Sequence, residues 1–289
     1  MNLPELPPEL APYAETIRAV WRPYVRLLRS PEAVRPWQSC LGGQIPYWPA
    51  DRNYPRDERN RMLSFLLQLN FAEMPPLPDF PAEGLLQLFI SCYHSPERAF
   101  VYTEGVSGIF HEKICTDPEL LLSEADIKAM IAAEVFSKTE PEPLRRVGKP
   151  GGLAFSLAAA PPDQTDHAYR LAFGEAGLPA EIPAGFPQGN TMKEMAQRGS
   201  LYARTPYMLY RSITEMAQCS AVGGYGRFPQ HDDPRAELPP DHDWMVLVKL
   251  LADPDFDMMW GDVQEFHVFI RRGDLLNRDF SSLWMYLAA

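Results

Sequence analysis

The chain has 289 residues, 46% apolar and 22% charged, which is long enough to bury a core and too apolar for wholesale disorder. A formal net charge of -11 and a pI near 5.1 leave no basic surface for phosphates, so neither nucleic acid nor an anionic membrane is expected as a partner. The 30 prolines must sit in turns, element starts and connections, so the fold is expected to be rich in loops.

In chain order, Ile17, Val20, Trp21, Tyr24, Leu27 and Leu28 recur at helical spacing and predict a helix from about Glu9 to Ser30, kinked at Pro23. The turn-rich stretch Gly42-Gly43-Gln44-Ile45-Pro46-Tyr47-Trp48-Pro49 follows. Met62 to Phe71 and Leu85 to Ile90 read as strands, the first with Ser64, Gln68 and Asn70 set among apolar residues. Two short strands are expected at Val101–Thr103 and Ile109–Ile114, split by a glycine-bearing turn. Ser123-Glu124-Ala125-Asp126 has the form of a capping box and predicts a helix through Phe136. Leu153–Leu157 and His167–Phe173 suit strands, and Met192–Cys219 suits helical pieces broken near Pro206. Trp244–Leu251 and Glu265–Ile270 read as strands around the corner Met258-Met259-Trp260-Gly261-Asp262, and Phe280–Leu287 as a docked aromatic tail.

The two Gly-Gly segments echo one another. Each runs from paired glycines through an apolar strand and an acidic loop to a strand ending Phe-Ile, at Phe89-Ile90 and at Phe269-Ile270. The expected fold is α+β, a strand-rich, mainly antiparallel sheet roll with two similar β-units and peripheral helices. It is expected as one domain over residues 1–289: a helical segment at 1–40, a first β-unit at 41–115, a loop-rich middle at 116–219 and a second β-unit at 220–289.

For chemistry, the densest stretch is Gln230-His231-Asp232-Asp233-Pro234-Arg235, followed by Asp241-His242-Asp243. Gln230, Asp232, Asp233 and Arg235, with Trp260 and Asp262 of the later corner, form the candidate pocket. His231, Asp232 and His242 are the candidate ligands should this loop hold a metal. The H-x-x-x-H and H-E-x-x-H spacings are absent, and a solvated loop with Asx-turns before Pro234 and Pro240 is the simpler reading. No cofactor motif is present: Gly223-Gly224-Tyr225-Gly226 lacks both P-loop and dinucleotide spacing. No G-x-S-x-G elbow occurs, and Cys40, Cys92, Cys115 and Cys219 are isolated, so they are expected to be reduced and unreactive. Met1 to Glu5 lacks a secretory pattern, no apolar run is long enough to span a membrane, and a cytoplasmic location is expected.

The ordered set GGQIPYWP, FLLQLNFAEMP, LPDFPAEGLLQLFI, GGYGRFPQHDDPR, MMWGDVQEFHVFI and DLLNRDF resembles the bacterial YwqG-like family, also called DUF1963. The resemblance covers both ends of the chain and implies an α+β, mainly antiparallel roll. The family's function is unknown, so it supplies no catalytic residues to carry over. Some relatives accompany bacterial toxin systems, which implies an immunity-like or regulatory role with a protein partner. The expectation is therefore a non-enzymatic binding or regulatory protein. The alternative is a metal-assisted, hydrolase-like enzyme using the 230–262 acidic region.

Overall fold

A computed structural model describes residues 5–32, 34–42, 47–60, 62–94, 101–123, 125–126, 129–130, 151–181, 192–239, 241–252 and 265–288. Its framework is a ten-stranded sheet in the order β10-β9-β8-β7-β1-β6-β2-β3-β4-β5. The strands are β1 (Arg22–Ser30), β2 (Cys40–Leu41), β3 (Ser64–Asn70), β4 (Leu85–His94), β5 (Val101–His111), β6 (Gly151–Ala160), β7 (Ala221–Gly223), β8 (Trp244–Leu251), β9 (Glu265–Arg271) and β10 (Trp284–Ala288). The fold is α+β and its strand pairs are antiparallel, as the sequence predicts. The chain forms two compact units. The first comprises residues 1–24, 158–218 and 224–240; the second comprises residues 25–157, 219–223 and 241–289.

In the second unit the core is built from branched and aromatic side chains of nearly every strand. Val25, Leu41, Leu67, Leu88, Val222, Val248 and Val268 share one buried cluster. β3 is buried along its whole length, which explains why its sequence runs apolar almost without alternation. Another cluster packs Trp48, Tyr54, Phe65 and Phe89, with Trp48 edge-on to Phe89 at 5.9 Å. Phe280, ahead of β10, lies 5.1 Å from Phe110 of β5, so the two ends of the sheet approach each other.

Three local expectations are corrected. The predicted N-terminal helix ends at Val20: a 3-10 turn (Pro8–Tyr13) leads into α1 (Ala14–Ala19), and residues 22–30 are strand β1. Pro23 has no amide to donate to a helix, and Leu27 N–H instead donates to the Ser220 carbonyl at 2.9 Å, while Val25 and Leu27 alternate into the core. The two strands expected at 101–114 are one continuous strand, β5. Its Gly108 marks close packing rather than a turn, since a Cβ there would lie 2.8 Å from the Phe280 carbonyl oxygen.

The third correction lies in the first unit, where residues 167–173 form α2 (His167–Phe173) rather than a strand. Asp166 caps it by accepting from Ala168 N–H at 2.8 Å, and Gly174 closes it at φ 73°. Tyr169 and Phe173, four residues apart on one face, pack with their rings tilted at 39° and centroids 4.8 Å apart. The same unit holds α3 (Met192–Tyr202) and α4 (Pro206–Glu215), broken before Pro206 as predicted. Its core gathers Leu10, Ile17, Tyr169, Leu178 and Tyr210.

The predicted capping box is present: Asp126 N–H donates to Ser123 Oγ at 3.1 Å, and the Ser123 hydroxyl first, with its N–H at 2.9 Å second, donates to the Asp126 carboxylate and holds that carboxyl below its ordinary range. Residues 125–126 and 129–130 of that helix are helical; its stretch from 131 to 136, and the Met258–Asp262 corner, lie outside the described residues. No helix among the described residues is long and apolar enough to cross a membrane.

Candidate functional site

The stretch 230–235 divides in two. Gln230, His231 and Asp232 are exposed, and among the described residues Asp232 meets the half-exposed Arg170 at 3.5 Å. Asp233 and Arg235 are buried, and with Asp166 they form a closed ionic cluster in the first unit. Arg235 Nη2 donates to Asp166 Oδ2 at 2.8 Å and to Asp233 Oδ2 at 2.7 Å, and its Nε donates to Asp233 Oδ1 at 3.0 Å. The carboxylates also take backbone donors: Asp166 from Ala168 and Gly226, Asp233 from His167 and Arg235.

Burial opposes the Arg235 charge, but the two aspartates outweigh it and hold the guanidinium above its ordinary range. Burial raises the Asp166 carboxyl, against the pull of Arg235 and with the push of Asp233. Every group in this cluster is engaged, and what it fastens is the start of α2 to the 226–235 loop. It is a structural lock. Asp166 was missed as a site residue, although an aspartate directly before a run of good helix formers is a cap signal. His242 belongs to the second unit, and Trp260 and Asp262 lie outside the described residues. Among the described residues, no three His, Cys, Asp or Glu side chains gather as a metal-binding set.

The second unit holds an open cleft of about 330 Å³. Its walls are Ser30 at the end of β1, Glu32 and Val34 after it, Gln38 and Ser39 before β2, Glu73, Met74 and Pro75 after β3, and Gly152 to Phe155 of β6. The cleft exists because β2 is only two residues long. Residues that would extend it backward give their carbonyls to side chains of β3: Gln68 Nε2 donates to Pro36 O (2.8 Å) and Gln38 O (2.7 Å), and Asn70 Nδ2 donates to Trp37 O (3.0 Å). With those carbonyls turned toward β3, the last bond from this segment to β6 among the described residues is Leu153 N–H to Ser39 O at 3.1 Å. Beyond it the two segments part.

A buried polar chain stands behind this wall. Gln87 Nε2 donates to Gln68 Oε1 at 2.9 Å and to Tyr47 O at 2.7 Å. His111 Nε2 is 3.0 Å from Gln87 Oε1, and His111 Nδ1 is 3.4 Å from Arg52 Nη1. Arg52 can only donate, so Nδ1 must accept and Nε2 must carry the proton. The bonds then run one way, from Arg52 through His111, Gln87 and Gln68 to the carbonyls of the cleft wall. Burial first, and the Arg52 charge second, push the His111 pKa down to about 4 and keep the ring neutral.

At the cleft itself, Glu73 Oε2 accepts from Ser39 N–H at 2.8 Å, and Ser39 Oγ accepts from Asn70 N–H at 2.8 Å. Among the described residues, the lining contains two carboxylates and no Lys, Arg, His or Cys. Neighbouring Cys40 is buried, and burial, reinforced by the Glu73 charge, raises its thiol far above the range in which it would act as a nucleophile. Such a site offers acceptors and negative charge. It offers no paired nucleophile and base.

A family model described as "Domain of unknown function (DUF1963)" matches residues 39–288. The chain belongs to the DUF1963 family. That match spans the cleft walls contributed by Ser39, Glu73 and β6, and also the Asp166–Asp233–Arg235 lock, while β1 and the 32–38 segment precede it. No curated protein significantly matches this DUF1963 chain.

Proposed function

We propose that this DUF1963 chain is a non-enzymatic binding or regulatory protein whose partner is basic. The observation that carries this reading is the second unit's cleft, where Glu32 and Glu73 stand among neutral acceptors with no cationic side chain in the lining. The net charge of -11 supports it, because the long-range field favours a cationic partner. The resemblance to YwqG-like bacterial proteins fits a cytoplasmic, immunity-like role, in which the acidic surface masks a basic protein. The hydrolase alternative draws on the 230–262 acidic region, and of its residues Asp233 and Arg235 are engaged in the buried lock with Asp166.

Affinity capture from source-cell lysate tests the reading. The expected result is one stoichiometric basic protein, released near 1 M salt, where the screening length falls to about 3 Å. Repeated capture with no stoichiometric partner would overturn it. Metal analysis of protein purified without a histidine tag tests the alternative. A bound divalent ion that raises the melting temperature would restore the hydrolase reading.

A further inference from the structure

We infer that the cleft is a strand-docking site, in which an extended segment of the partner bearing Lys or Arg pairs with the edge of β6. This deepens the binding reading above and rests on it. Leu153 N–H points toward β2 and reaches Ser39 O, so by strand alternation the backbone groups of Phe155 and Leu157 face the same way. β2 supplies partners only to Gly151 and Gly152, and the 36–38 segment has turned its carbonyls to Gln68 and Asn70. Among the described residues, Phe155 is therefore an open ladder position inside the cleft. An edge of this kind recruits an added strand.

The surroundings suit such a guest. Gly152 and Ala154 give a low floor beside the edge, and Ala154 is exposed. Leu157, further along, is 43% exposed and offers apolar contact for a strand side chain. Glu32 and Glu73 flank the floor, and Glu73 is oriented by Ser39 N–H. A Lys or Arg side chain of the added strand, projecting over the Gly152–Ala154 floor, meets this negative rim. A Glu or Asp there is repelled.

The test uses the full chain and synthetic heptapeptides of alternating Val and Thr, capped at both ends, with Lys or Glu at the centre. Hydrogen exchange of the Phe155 and Leu157 amides is followed on titration. The expected result is protection of both amides by the Lys peptide, with the Glu peptide bound about tenfold more weakly or less. N-methylation of alternate peptide amides should weaken binding about tenfold in one register and leave the other unchanged. Glu32→Gln and Glu73→Gln, which keep size and hydrogen bonding, should each weaken the Lys peptide about threefold, an effect that salt removes.

Equal binding of Lys and Glu peptides, indifference to N-methylation in both registers, or unprotected Phe155 and Leu157 amides would each overturn the proposal. Spermidine that competes as well as the peptide would make this an amine site and overturn strand docking. A captured basic partner that leaves these amides unprotected overturns docking at β6 while the binding function stands. Failure of both capture and peptide binding removes both.

Discussion

Leu66 in β3 and Leu247 in β8 occupy equivalent places, each the extra residue of a bulge in its strand pair. Phe65 and Leu67 lie opposite Phe89 and Leu88, and Val246 and Val248 lie opposite Phe269 and Val268. Both follow a left-handed glycine, Gly42 at φ 69° or Gly223 at φ 72°, at the same chain separation. The correspondence extends to the buried polar pair two residues beyond each bulge, Gln68 opposite Gln87 and Lys249 opposite His267. The two β-units thus share register as well as outline, and the polar chain behind the cleft has a positional counterpart in the other half.

These glycines should be sensitive to the smallest side chain. Gly42→Ala and Gly223→Ala are each expected to lower unfolding free energy by about 1–2 kcal/mol, from left-handed backbone strain alone. Gly223 should cost at least as much as Gly42, because its Cβ would also fall 2.8 Å from Leu77 Cδ2. Urea unfolding checks both, and a neutral result at either position would contradict the assigned backbone conformation.

Gln68 holds the cleft wall open through two backbone carbonyls and one side-chain amide. Gln68→Leu fills similar volume but leaves the Pro36 and Gln38 carbonyls and the Gln87 amide short of a partner. A loss of roughly 2–4 kcal/mol is expected by urea unfolding. A change below about 0.5 kcal/mol, the scale of an ordinary surface substitution, would show that these bonds contribute nothing net.

His111 should make stability depend on mild acid. Its folded pKa near 4 lies below the unfolded value of about 6.5, so between these limits the unfolded chain binds the extra proton. Stability therefore falls as pH drops through that window, by about 2 kcal/mol between pH 7 and pH 5. His111→Gln, which carries no proton to gain, should be flatter by that amount. Parallel slopes for the two proteins would refute the assignment of a buried neutral ring.

In the lock, Arg235→Met leaves Asp166 and Asp233 facing each other without a counter-ion. The expected loss at pH 7 is about 3–5 kcal/mol. With the cation gone, the Asp166 carboxyl, already raised by burial in the parent, loses the pull that opposed this rise, so the variant should recover more stability than the parent as pH falls toward 5. Thermal unfolding at several pH values distinguishes this from simple loss of packing, which would be indifferent to pH.

How far residues disclose structure is clear from particular segments. β3, β8 and β9 were legible because their burial demands long apolar runs, and the α3–α4 break because Pro206 marks it. β1 was not, because its apolar spacing fits a helix as well as a strand, and pairing beside Ser220, remote in sequence, decides the outcome. The cleft was equally hidden: Ser64, Gln68 and Asn70 stood out as polar residues in an apolar run, but only the fold shows that Gln68 and Asn70 hold carbonyls some thirty residues earlier. Asp233 and Arg235 drew notice for charge, but Asp166, the second carboxylate that Arg235 holds, lies 67 residues before Asp233 in sequence.

The lock also sets an order of assembly during synthesis. The first unit draws on residues 1–24, 158–218 and 224–240, so its parts emerge from the ribosome far apart in time. Asp166 reaches the growing chain long before Arg235, and until then its carboxylate has no cation and the α2 cap has no clasp. A nascent chain stalled between residues 210 and 235 therefore lacks the cation that ties the 226–235 loop to the start of α2, although every residue of the Ile17–Tyr210 core has already been made.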